Sequence, residues 1–192
     1  MTIGTIGHST HPIEEFIGIL QAHGIRQLVD VRTIPRSRRN PQFNRESLPA
    51  SLHTAEIHYH HLPGLGGLRH PRKDSTNTGW RNASFRGYAD YMQTPEFAEN
   101  LDRLITIASE APTAIMCAEA VPWRCHRSLI ADALGARGIP TIEIMSANKS
   151  QPHAITPFAK IEGQHVTYPA GANSGAVSKG SSLDLPLFSQ LE

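Results

Sequence analysis

Short apolar runs alternate with stretches of helical periodicity along most of this chain, and few folds accommodate that order. Residues 2–7 read as a strand carrying Ile3 and Ile6. Pro12 suits the first turn of a helix whose buried face is marked by Ile13, Phe16, Ile17 and Leu20, with Gly24 as its stop. Residues 27–31 predict a second strand and residues 56–62 a third, separated by a Pro- and Arg-rich loop and a short helix over about 45–54. Residues 63–83 are rich in Gly, Pro, Arg and Asn and predict a long loop. Helices over 84–91 and 95–108 follow, then a strand over 113–116, a helix over 128–137 and a strand over 140–145. Such alternation predicts an α/β domain: a mostly parallel sheet of about five strands with helices on both faces.

The chain changes character near its end. Residues 158–168 predict a β-hairpin turning at Glu162-Gly163. Gly, Ala, Ser and Asn dominate 170–182, the composition of a flexible linker. An apolar peptide closes the chain, Leu183-Asp-Leu-Pro-Leu-Phe188. The expected organisation is one domain over 1–168, a linker over 169–182 and a terminal peptide over 183–192.

Composition narrows the function classes. No apolar run approaches the ~20 residues that span a bilayer. The first residues have neither a basic start nor a long apolar stretch, so no signal peptide is predicted. With two cysteines in 192 residues, this points to a reducing cytoplasm. Net charge is only +1, yet Arg32, Arg36, Arg38, Arg39 and Arg45 crowd one short stretch.

Chemistry-bearing residues recur where strands are predicted to end. In an open parallel sheet ligands sit beyond the carboxyl ends of the strands. Those ends supply His8, then Asp30, Arg32, Arg36 and Arg38, then Cys117 and Glu119. Arg124, Cys125, His126 and Arg127 follow at the start of the next helix, where the dipole favours an anion. His8, Asp30 and Glu119 are the acid–base candidates. Cys117, at a strand end near arginines, is a candidate nucleophile with a lowered pKa. Arg124 nevertheless follows Cys117 one residue too late for the phosphate loops of tyrosine phosphatases and rhodaneses, and Pro122 removes an N–H from the loop. Cys117 and Cys125 also offer a metal site, although their spacing is not that of paired zinc clusters. A second basic stretch, residues 78–88, interleaves Trp80, Phe85 and Tyr88 with Arg81 and Arg86, a pattern suited to stacking and clamping bases.

Four motifs carry a family resemblance: Thr5-Ile-Gly-His-Ser-Thr10, Val29-Asp-Val-Arg32, Asn82-Ala-Ser-Phe-Arg-Gly-Tyr88, and Cys117-Ala-Glu with Trp123-Arg-Cys-His-Arg127. Over residues 2–168 the chain resembles a bacterial family known as domain of unknown function 488. The resemblance implies a Rossmann-like α/β domain and assigns no chemistry. The terminal peptide resembles the motif that bacterial replication and repair proteins insert into the sliding clamp, with Ser182 where glutamine is usual. It implies Leu183, Leu185, Leu187 and Phe188 as partner-binding residues.

Three readings follow. The first is an enzyme, of the hydrolase or lyase kind, acting on a phosphate-bearing nucleic acid or nucleotide in DNA repair or maintenance. Arg32, Arg36, Arg38, Arg124, His126 and Arg127, with Trp80, Arg81 and Tyr88, would then bind the substrate. The second is a non-catalytic adaptor for DNA or protein that residues 183–188 recruit to the clamp. The third is a metal-binding protein using Cys117 and Cys125. The motifs leave the identity of any cofactor unknown.

Overall fold

The computed structural model describes residues 1–171. Its sheet contains β1 (Ile3–Gly7), β2 (Gln27–Asp30), β3 (His58–His61), β4 (Thr113–Cys117), β5 (Thr141–Ser146) and β6 (Lys149–Pro152). Their spatial order is β3-β2-β4-β1-β5-β6, with β1 to β5 parallel and β6 antiparallel at the edge. The helices are α1 (Ile13–Ala22), α2 (Leu48–Thr54), α3 (Ala83–Tyr91), α4 (Pro95–Glu110) and α5 (Arg127–Ala136). A separate hairpin pairs β7 (Lys160–Glu162) with β8 (His165–Thr167), and Gly163 turns it at φ +62°. The architecture is therefore a mixed α/β fold with a mostly parallel six-stranded sheet and a C-terminal hairpin.

Side chains alternate across the sheet, so neighbouring strands in register bury two separate cores. Ile3, Val29, Ile115 and Cys117 face α3, α4 and α5 on one side. Ile6, Leu28, Ala114, Met116 and Ile144 meet Phe16, Ile19 and Leu20 of α1 and Leu48 and Leu52 of α2 on the other. The inner strands are buried throughout, hence their near-continuous apolar runs. β6 lacks that signal. All four of its residues are exposed, and a polar edge strand has no apolar alternation to betray it. The sheet consequently has one strand more than the sequence predicts.

A polar cluster anchors the C-terminal part to α5. Asp132 is fully buried and accepts bonds from Tyr168 Oη (2.8 Å), the Thr156 N–H (3.0 Å) and His153 Nε2 (2.8 Å). His153 Nδ1 meets Glu143 at 3.0 Å. Burial alone would lower the His153 pKa, but the two carboxylates outweigh it and raise the value. A carboxylate oxygen faces each ring nitrogen, so the protonated form of His153 is the one that can donate to both.

One glycine decides how closely the site loop can approach the sheet. A Cβ on Gly7, the last residue of β1, would overlap the carbonyl of Glu119. Gly7→Ala must push the loop after β4 away from the sheet. A loss of about 3 kcal/mol, within the range of overpacked cores, is expected in urea denaturation. An unchanged unfolding midpoint would show that this close approach is not required.

Candidate functional site

Because β2, β4 and β1 are adjacent, their carboxyl ends open side by side. Asp30 ends β2, Cys117 ends β4 and His8 follows β1. Backbone pairing continues past the strand ends, with His8 N–H donating to Cys117 O (2.9 Å) and Ser9 N–H to Ala118 O (3.0 Å). Ser9 then adopts φ +47°, a left-handed conformation uncommon for a residue with a Cβ. It turns the chain so that Ser9 and Thr10 line a concavity.

Arg32 is the centre of a buried network. Its Nε donates to Asp30 Oδ1 (2.9 Å) and its Nη2 to Asp30 Oδ2 (2.6 Å), the bidentate geometry that guanidinium and carboxylate favour. Nη2 also donates to Phe43 O (2.7 Å) and Nη1 to His8 Nε2 (3.1 Å). Tyr59 Oη adds a bond to Asp30 Oδ2 at 2.8 Å. Asp30 is fully buried with both oxygens occupied. Its carboxylate therefore orients Arg32 and does not face a substrate as an open base. Of the five guanidinium N–H groups, one on Nη1 is left for a ligand.

His8 stacks on Phe43 with ring centroids 4.2 Å apart. Burial, and then the charge of Arg32, lower its pKa to about 4. At neutral pH it is uncharged, with Nδ1–H on the Ser9 carbonyl (2.9 Å) and the Nε2 lone pair on Arg32. That tautomer follows from the guanidinium, which can only donate.

On the other side of β4 lie the thiols. Arg127, at the first turn of α5, turns inward and is 1% exposed. Its Nε donates to Cys117 Sγ (2.9 Å) and its Nη2 to Glu119 O (2.7 Å). Cys117 is buried, and burial pushes its pKa well above the ordinary thiol value. The expectation of a lowered Cys117 pKa is corrected here: desolvation exceeds the help from Arg127. His126 Nε2 bonds Val31 O (3.2 Å) and Nδ1 faces Cys125 Sγ (3.5 Å). Burial lowers the His126 pKa as well.

Three neighbouring concavities that share lining residues form a groove along this rim. The first, about 370 Å³, is lined by Arg32, Ile34, Leu68, Phe85, Glu119, Arg124, Cys117, Cys125 and His126 among others. The second, about 410 Å³, shares Arg32, Ile34 and Glu119 with it and adds His8, Ser9, Thr10 and Arg36. The third, about 640 Å³, shares Ile34 and Arg36 and adds Arg38. The groove thus runs from a cationic end at Arg36 and Arg38, past His8 and the Glu119 carboxylate, to a partly apolar end over the thiols. Ile34 and Leu68 stand 66% and 72% exposed at its mouth, a large apolar area left to solvent.

Comparison with family models assigns the matching segment directly. The chain belongs to the DUF488 family, described as a domain of unknown function, whose model matches residues 12–134. Comparison with curated proteins and with solved structures gives no match. The DUF488 segment supplies Asp30, Arg32, the arginine loop, Cys117, Glu119 and Arg127. His8 precedes it, and His153 and Tyr168 follow it.

Several residues expected at the site lie elsewhere. Tyr88 is 1% exposed, donates to Leu65 O (2.9 Å) and packs against His126, so it is part of the core and offers no face to a base. Trp80 packs on Phe85, Phe158 and Tyr168 and lines a different cavity, beside His153. Arg81 is exposed and lines none of the three neighbouring concavities. Leu183, Leu185, Leu187 and Phe188 lie outside the described residues, as does most of the expected linker. Among the described residues no three His, Cys, Asp or Glu side chains gather as a metal would need. No helix among them is long and apolar enough to cross a membrane. Ile34 and Leu68 also line the groove and were not legible in the sequence, because isolated apolar loop residues carry no motif.

Two measurements test this electrostatic arrangement. Asp30→Asn leaves Arg32 buried without its counter-charge and is expected to cost roughly 3–5 kcal/mol in urea denaturation. A loss under about 1 kcal/mol would mean that Arg32 finds other compensation. His8 is protonated more readily in the unfolded chain than in the folded one. Its contribution is complete above pH 6.5 and is lost as the pH falls towards 4. Wild type is expected to lose roughly 3 kcal/mol more than His8→Asn across that window. Parallel stability profiles for the two proteins would refute the burial-driven shift.

Proposed function

We propose that this DUF488 protein is an enzyme acting on a phosphate-bearing substrate, with single-stranded nucleic acid or a nucleotide as the class its groove fits best. One observation carries the reading: neighbouring concavities that share lining residues bring four arginines, a neutral histidine and an exposed glutamate to one rim of the sheet. Arg36 and Arg38, exposed at one end, suit phosphates. Arg32, fixed by Asp30 and with an N–H to spare, suits an anion at the centre. Ile34, Leu68 and Phe85 suit the flat apolar body of a base at the other end. We read the sheet as Rossmann-like in one respect. The connection from β1 runs to β2 towards one edge and that from β4 runs to β5 towards the other, and ligands bind beyond strand ends where connections run opposite ways.

The chemistry assigned to each residue follows from its surroundings. Glu119 is exposed and lines the groove while its backbone bonds Arg127 and Cys117, so its carboxylate is the general acid–base candidate. His8 can exchange its bond to Arg32 for one to a substrate hydroxyl or water. Asp30 is a positioning residue that acts through Arg32.

Fluorescence anisotropy with a labelled single-stranded oligonucleotide provides the test. Wild type is expected to bind, with log affinity falling linearly in log salt. Arg36→Ala and Arg38→Ala should each reduce the steepness of that line by about 0.7, one phosphate contact apiece. Glu119→Gln should bind as wild type does and lose turnover of the same oligonucleotide. Equal binding by wild type and a variant lacking Arg36, Arg38 and Arg124 would remove the nucleic-acid reading.

A further inference from the structure

Arg127 poses a charge problem that the groove's substrate does not solve. Among the described residues no carboxylate lies within salt-bridge distance of it. Its Nη1 is buried with no hydrogen-bond partner. A guanidinium cannot shed its proton, and a buried cation without an anion is strongly disfavoured. The side chains beside it that can become anions are Cys117 and Cys125. The Nε–Sγ distance to Cys117, 2.9 Å, is short for a bond to sulfur, as charge-assisted bonds are.

We propose that Cys117 and Cys125 together hold one negative charge against Arg127 at neutral pH, and that they form a reactive pair that reduces a hydroperoxide. Cys125 is the attacking sulfur and Cys117 the resolving one. The geometry distinguishes them. Cys117 Sγ is enclosed by Arg127 Nε, the Glu119 N–H (3.3 Å) and the Glu119 carbonyl (3.9 Å). Cys125 Sγ has the Cys117 thiol beside it and His126 Nδ1 at 3.5 Å. With Nε2–H on Val31 O, that Nδ1 accepts from the Cys125 S–H; burial disfavours a charged ring, so the proton that Cys125 releases leaves to solvent through the concavity. Both sulfurs line the first concavity. The remaining groups around them are uncharged: the Tyr88 hydroxyl is buried on Leu65 O, and Glu119 meets Cys117 through its backbone. Burial alone raises the Cys125 pKa, but the Cys117 S–H and then Arg127 outweigh it and bring the value to about 7.

The reaction balances within the pair. The Cys125 thiolate attacks the terminal oxygen of the hydroperoxide, an S–O bond forms and the O–O bond breaks. The alkoxide or hydroxide leaves, accepts a proton and departs as alcohol or water. The Cys117 thiol then attacks the sulfenic sulfur, an S–S bond forms and water leaves. The two cysteines are oxidised by two electrons and the peroxide is reduced by two.

The test uses the whole protein and is independent of oligonucleotide binding. Iodoacetamide labelling followed by peptide mass spectrometry is expected to modify Cys125 first, with half-maximal rate near pH 7. An ordinary thiol reaches that point at about 8.5. Stoichiometric hydrogen peroxide should yield a Cys117–Cys125 disulfide. In Cys117→Ser the reaction should stop at a Cys125 sulfenic acid that dimedone traps, and Cys125→Ser should consume no peroxide. A labelling midpoint at or above 8.5, or thiols that persist in excess peroxide, would overturn the proposal. So would dimedone on Cys117 in Cys125→Ser.

Discussion

The buried bond between Asp30 and Arg32 organises the rim of the sheet. Two charges out of water are stable only when every hydrogen-bonding group around them is matched. Here the matching groups come from four places in the chain: Asp30 at the end of β2, Tyr59 on β3, His8 beyond β1 and the carbonyl of Phe43 in the arginine loop. The pair therefore acts as a keystone for segments that would otherwise be independent loops. It also fixes the charge state of His8, because a guanidinium pointing at Nε2 leaves the imidazole no room for a second proton.

Two cations with different compensation thus flank the end of β4. Arg32 has a carboxylate and lies on the groove wall, where its net charge is largely cancelled. Arg127 has only sulfur and a carbonyl, and its charge remains to be balanced. Exposed Arg36, Arg38 and Arg124 add positive potential that solvent screens. The site therefore combines exposed surface cations with two buried, hydrogen-bonded ones. A groove of this type can attract an anion at long range and hold its orientation at short range.

The inner strands could be read from the sequence because both their faces are buried, which forces apolar runs of strand length in residues 27–31 and 113–116. Periodicity likewise predicted α1, α4 and α5 to within a few residues of their ends. β6 was hidden by its exposure, and β3 was overextended because apolar residues flank it on both sides. At the site, positions were legible and directions were not. Sequence places Arg127 and Tyr88 beside functional residues but carries no record of which way a side chain turns. Both turn inward, and one becomes a buried charge and the other core. The Cys117 thiol illustrates the same limit, since arginine proximity is visible in sequence and desolvation is not.

The cluster around Asp132 bears on where this domain ends. Asp132 lies near the close of the family-matched segment, yet its partners, His153, Thr156 and Tyr168, all come after it. β5, which pairs with β1 near the middle of the sheet, also comes after it. A polypeptide trimmed to the family match would strand a carboxylate inside α5's packing face and would lose both β1 and β5 from the sheet. The stretch that defines family membership is shorter than the unit that folds, and the residues completing that unit belong to any account of how this architecture is inherited.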